Sequence, residues 1–210
     1  MFQERQPADA FVSELKIGDN EELPYSAHDF GVFVAVMLKM AAKTYSHNFS
    51  ALSRYQITLK TVCDASDQYQ EKLLDTLYNC WKTNQQMMMI LIDKLLKMQV
   101  LDCSVVVAWL FDEKMWQEHD RQWLFEVLNQ ALEKLTRQIV IVEKDIKELA
   151  ENIENEDKQE ENEADEKMTD DESKPQKQQE DLEAHKQKLE AMVQFQKGLF
   201  IDFLLVSLFF

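Results

Sequence analysis

At 210 residues, 45% of them hydrophobic, the chain is long enough for one domain with a sizeable core or for two small ones. Only 3 Gly and 3 Pro occur, too few to punctuate a many-stranded β fold, so the expected class is all-α. A net charge of -16 repels a phosphate backbone and argues against autonomous nucleic-acid binding, which rests on neutralising phosphates with Lys and Arg.

The first ten residues, "MFQERQPADA", contain no apolar h-region, so no secretory signal or obvious targeting peptide is expected. Residues 8–17 place Phe11, Val12 and Leu15 on one helical face between Pro7 and Gly18, which predicts a short leading helix. The acidic "GDNEELPYS" reads as a linker. Residues 28–43 are apolar on most sides, as an inner helix would be. After a turn at "TYSHN", helices are predicted over 49–63 and 66–81, the latter with Leu73, Leu74, Leu77, Tyr78 and Trp81 on one stripe.

The stretch "NQQMMMILIDKLLKMQVLDCSVVVAWLF", residues 84–111, could suggest a membrane segment or a metal box. Its longest uncharged run stops at Asp93 and Lys94, short of the ~20 apolar residues a bilayer requires. Asn84 can cap a helix running to about Gln99, with Met88, Leu91, Ile92, Leu95 and Leu96 at three- and four-residue spacing. Asp102 can cap the next one. Val105, Val106 and Val107 suit a strand by propensity, but no second β-rich run could pair with them, so a helix is expected. The methionines have no Cys or His at a supporting spacing and read as fillers of helix packing.

Further on, Leu132, Leu135, Ile139, Val142, Ile146, Leu149 and Ile153 form a heptad seam. The 22 residues from Leu132 to Ile153 would extend roughly 33 Å. Residues 151–172 hold 12 acids and 2 lysines and read as disordered. Beyond Pro175 a second seam, Leu182, Leu189, Met192, Leu199, Phe203 and Val206, predicts an antiparallel helical hairpin. The terminal "LFIDFLLVSLFF" is too short for a membrane span and reads as the start of a buried helix that has lost its partners.

Catalytic motifs are missing. No Gly-rich phosphate loop, G-x-S-x-G elbow or H-E-x-x-H occurs, and His28, His47, His119 and His185 fall in separate elements. Glu118, His119 and Asp120 are adjacent, yet helix neighbours project about 100° apart, so an exposed surface is expected there. Cys103 lacks a nearby base and reads as a buried structural thiol. Cys63, Cys80 and Cys103 are odd in number, without C-x-x-C spacing, and read as reduced core thiols of an intracellular protein. Trp81, Trp109 and Trp123 lie on apolar stripes and read as core. No catalytic, cofactor-binding or metal-binding residue is assigned, and no partner-binding residue.

Two strings carry more. "AAKTYSHNFSAL" (41–52) and "DKLLKMQVLDCSVVVAWLF" (93–111) resemble the third helical-repeat domain of large subunits of nuclear cap-binding complexes. In the second string Asp93, Lys94, Gln99, Asp102, Cys103, Val106, Trp109 and Phe111 are similar residue for residue. The resemblance runs from about 27 to about 201 and includes a long helical hairpin, although "VSLFF" departs from the pattern and the tip is more acidic than the family's.

The resemblance implies stacked antiparallel helix pairs of the MIF4G-like, HEAT-like kind with a protruding helical hairpin. The expected layout is a leading helix and linker at 1–26, helical repeats at 27–131 and a long hairpin at 132–198. Its disordered acidic tip falls at about 154–178, and the start of a truncated buried helix at 199–210. The resemblance further implies a non-catalytic nuclear scaffold, with shuttling to the cytoplasm allowed. Such a subunit clamps a small subunit with an RNA-recognition (RRM) fold as a heterodimer, meets capped RNA only through it, and offers surfaces to splicing, export, decay and small-RNA silencing factors. No cofactor and no membrane contact are implied. The alternative is a scaffold of the same repeat class acting in translation initiation or mRNA decay without the small cap-binding partner.

Overall fold

Capping side chains mark where most of the helices begin. In this computed structural model the backbone is described for residues 12, 15–16, 24–163 and 173–209, and side chains for all of these except 152, 154–163, 173–180, 200 and 202–209. Helix α1 (Ala27–Ala41) opens on Ser26, whose hydroxyl accepts from the Asp29 N–H at 3.1 Å. Helix α2 (Tyr45–Arg54) opens on Thr44, which accepts from the His47 N–H at 3.2 Å, and α3 (Gln56–Cys63) follows. Ser66 heads α4 (Asp67–Trp81), and Asn84 heads α5 (Gln85–Lys97) with its Oδ1 3.1 Å from the Met87 N–H. Each cap satisfies an N–H group that the helix start leaves without an intrahelical partner.

Helix α6 (Cys103–Leu110), a 3-10 turn (Glu113–Glu118), α7 (Gln122–Glu163) and α8 (Ser173–Phe209) complete the order. The fold is all-α, and among the described residues extended pairing is confined to a single bridge between Lys16 and Tyr25. The valine triplet is helical, as expected. Val105, Val106 and Val107 are all buried within α6, and that packing outweighs their preference for strands.

Several expectations need correcting. The helix expected over 49–63 starts four residues earlier, at Tyr45, because Thr44 caps it inside the supposed turn. It is also broken at Tyr55, whose backbone (φ -102°, ψ 17°) leaves the helical region. The Tyr55 ring is buried edge-on against Phe33, centroids 5.5 Å apart, so burial of the ring holds the bend. Asp102 stands at the N-cap of α6 but its carboxylate does not cap it. It accepts instead from Gln70 Nε2 at 2.9 Å, while the Asp102 N–H donates to Gln70 Oε1 at 2.8 Å.

Helix α1 is not apolar-buried all round: Val32, Val36 and Met40 are exposed along one side. Most of the predicted leading helix lies outside the described residues, although Val12 and Leu15 are helical and Leu15 is buried.

The chain divides into two compact units, Met1–Lys134 and Leu135–Phe210. The first is a stack of helix pairs. α1 lies along α4 and α4 along α6, while α2 lies against α5. Tyr69 near the start of α4 sits beside Tyr25 and Phe30, at 5.9 and 6.2 Å between centroids, and further along both helices Gly31 faces Lys72 and Thr76. Thus α1 and α4 run parallel, as they must if the pair α1/α2 is repeated by α4/α5. Asn48 bridges the second layer. Its Nδ2 donates to the carbonyls of Ala41 and Thr44, at 3.0 and 3.2 Å, and sits 3.9 Å from Met87 Sδ.

In the second unit, Gln196 Nε2 of α8 donates to Thr136 Oγ1 of α7 at 2.7 Å. From that contact α7 rises for roughly 41 Å to Glu163, and α8 needs roughly 35 Å from Ser173 to reach Gln196. The ten peptide steps from Glu163 to Ser173 span at most about 35 Å, so α8 can only run back antiparallel to α7. Along the seam Leu135, Ile139, Val142 and Leu199 are buried, while Ile146, Leu149, Leu182, Leu189 and Met192 are half-buried.

Helical backbone continues to Glu163 and resumes at Ser173, whereas residues 164–172, the centre of the expected disordered tip, lie outside the described ones. α8 continues to Phe209; Ile201 is exposed, and Phe203 and Val206 have side chains outside the description.

Candidate functional site

One network of polar side chains ties the helices of the first unit together. Trp109 Nε1 donates to Asp75 Oδ1 at 2.8 Å, and Asp75 Oδ2 lies 3.6 Å from Lys114 Nζ. Glu118 accepts from Tyr78 Oη at 3.1 Å and from Trp123 Nε1 at 3.0 Å, one carboxylate oxygen each. The three rings sit 6.1 to 6.3 Å apart between centroids. Burial, and then the Glu118 carboxylate it donates to, push the Tyr78 hydroxyl pKa upward. This network joins α4, α6, the 3-10 turn and the head of α7. Both of its carboxylates, Asp75 and Glu118, are engaged by structural donors.

The expected exposed surface at Glu118, His119 and Asp120 is corrected accordingly. Asp120 is exposed, but His119 is 6% exposed with its Nε2 3.4 Å from the Leu110 carbonyl, and Glu118 turns inward. The chain leaves the 3-10 turn here before α7, so consecutive residues face opposite ways. Without Glu118, the buried Trp123 indole N–H would lose its acceptor and the half-buried Tyr78 hydroxyl its partner.

The other histidines lie apart. His28 and His47 are exposed, with Nδ1 3.1 Å from Asp29 Oδ1 and 2.6 Å from Thr44 Oγ1, and His185 Nδ1 sits 2.8 Å from the Asp181 carbonyl. Among the described residues no cluster of three or more His, Cys, Asp or Glu is placed to hold a metal ion. No helix among them is long and apolar enough to cross a membrane.

Cys63 and Cys103 are buried. Burial pushes the Cys63 thiol up to about 12, with the nearby carboxylates of Asp64 and Asp102 adding to it, and burial likewise raises Cys103. Cys80 is not a core thiol as expected: it is half-buried, and burial raises its pKa against the pull of Lys39. None of the three is poised as a thiolate. Trp109 and Trp123 are core, both 2% exposed, whereas Trp81 is only half-buried.

Cys80 opens onto a surface groove between α1 and α4, about 350 Å³ in volume and lined among others by His28, Gly31, Val32, Lys39 and Lys72. Gly31 leaves room for the Lys72 side chain, since a Cβ there would stand 2.6 Å from Lys72 Cε. The i, i+4, i+8 spacing of Val32, Val36 and Met40 is readable in the sequence; that all three are exposed is not. Trp116 on the 3-10 turn is 61% exposed.

A family profile described as MIF4G like matches residues 1–205. Nuclear cap-binding protein subunit 1 of Caenorhabditis briggsae is 69% identical over 215 residues, covering 98% of this chain and 26% of that protein. Its Caenorhabditis elegans counterpart is 74% identical over 210 residues, again 98% of this chain and 26% of that protein. The Gallus gallus protein of the same name is 29% identical over 170 residues, 81% of this chain and 21% of that protein. The chain thus spans about a quarter of the length of these relatives.

Proposed function

The chain belongs to the MIF4G-like family, and from that premise we propose that it works as a non-catalytic scaffold within the large subunit of the nuclear cap-binding complex. The observation that carries this is 74% identity across nearly the whole chain to nuclear cap-binding protein subunit 1 of Caenorhabditis elegans. In this reading the chain supports a small RRM subunit, which holds the methylated cap. It acts in the nucleus, serving splicing, export, nonsense-mediated decay and small-RNA silencing through surfaces offered to other factors. The stacked helix pairs support a scaffold, because such stacks build extended faces rather than enclosed reaction chambers. The engagement of Asp75 and Glu118 by structural donors, and the burial of Cys63 that raises its thiol, support the absence of catalysis.

The test is retention on a methylated-cap resin from nuclear extract, with the protein tagged at its own gene. Retention is expected, and depletion of the small RRM subunit should abolish it. Retention that survives depletion, or none in undepleted extract, overturns the reading.

A further inference from the structure

We propose that the groove between α1 and α4 docks a short segment of a partner protein in which carboxylates flank aliphatic residues. The inference stands on the groove and not on the cap-complex reading.

The apolar half of the argument is the row on α1. Val32, 49% exposed, lines the groove, and Val36 and Met40, 37% and 50% exposed and each one turn further along α1, extend an aliphatic stripe from it. Such a stripe gives leucine- or isoleucine-sized side chains a surface to cover.

The polar half is charge. The chain carries -16 overall, yet the groove is lined by Lys39 and Lys72, and neither has a carboxylate within ion-pair distance among the described residues. Asp29, next to the lining residue His28, is engaged by it at 3.1 Å. The stem of Lys72 lies over Gly31, with Nζ 3.5 Å from where a Cβ would stand, so its ammonium belongs to the groove. Two unneutralised cations beside an aliphatic row, on an otherwise acidic molecule, select an acidic and aliphatic ligand. RNA fits poorly, because the stripe offers no aromatic face for bases and the remaining surface repels phosphates.

The experiment selects twelve-residue random peptides by display on the intact 210-residue chain, then titrates the recovered peptides by fluorescence anisotropy. Peptides rich in Asp or Glu next to Leu, Ile or Val are expected, with affinity falling at least tenfold for Lys39→Glu/Lys72→Glu and for Val36→Asp/Met40→Asp. Circular dichroism checks that both variants fold, and Lys39→Glu alone, at an exposed position, serves if a double variant does not. Bound peptide should also slow maleimide modification of Cys80, which lines the groove. Failure to recover peptides, recovery of basic ones, affinity indifferent to these substitutions, or unprotected Cys80 each overturns the proposal. Self-association of the chain abolished by the same substitutions would assign the groove to a second copy and overturn it as well.

Discussion

Glu118 holds two donors at once, the half-buried Tyr78 hydroxyl and the buried Trp123 indole, and its removal leaves both without their acceptor. Glu118→Ala should lower stability by about 2–3 kcal/mol in urea unfolding, and Glu118→Gln by less, since the amide oxygen still accepts one bond. Cys63 makes a pH prediction. Its thiol is held up to about 12 against an ordinary 9.0, so the unfolded state loses this proton first. The stability it contributes is therefore complete below about pH 9 and is lost as pH rises toward 12. Urea midpoints should fall over that window, and fall less steeply in Cys63→Ala. At neutral pH, iodoacetamide should modify Cys80 well before Cys63 or Cys103, as peptide mass mapping would show.

At the scale of the element, the end of α5 has an identifiable cause. Gln99 takes a left-handed backbone, φ 56°, the Val100 N–H donates to the Leu95 carbonyl at 3.1 Å, and the Gln99 N–H donates to Leu96 at 3.1 Å. This is a Schellman arrangement, with Val100 and Leu95 both buried beneath it. Lys134 adds a second stop, its Nζ donating to the Leu96 carbonyl at 2.6 Å. A side chain pays for φ above zero, so Gln99→Gly should stabilise by about 0.5–1 kcal/mol, while the β-branched Gln99→Val should destabilise. Gly31→Ala tests the room left for Lys72. The new methyl meets the far end of the flexible Lys72, which can swing aside, and alanine favours the helix, so stability should change by no more than about 1 kcal/mol.

Across the whole molecule, burial is uneven. Met88, Leu91, Ile92 and Leu95 are buried in the first unit, whereas the α7 seam passes from buried Val142 to half-buried Ile146 and Leu149. Native-state hydrogen exchange should find amides of residues 88–96 slowest and those of 145–153 much faster; equal protection would contradict it. Charge acts at this scale too. With -16 overall and Trp109 and Trp123 in the core, the isolated chain should show no saturable binding to a methylated cap analogue at micromolar concentration in a fluorescence titration.

Helix content, the caps at Ser66 and Asn84 and the buried stripes of α4 and α5 could be read in the one-dimensional chain, because capping and periodicity act within a few residues. The likeness of 93–111 to cap-complex large subunits could be read there as well, since it rests on residue order alone. The break at Tyr55, the turning of Asp102 toward Gln70 and the inward swing of Glu118 could not. Each depends on a residue more than twenty positions away, Phe33, Gln70 or Tyr78, whose position only packing supplies. The α1/α4 groove belongs to that second group for the same reason. Periodicity shows that Val32, Val36 and Met40 share a side, but only the tertiary arrangement decides that they are exposed near Lys39 and Lys72, which have no ion-pair partner among the described residues.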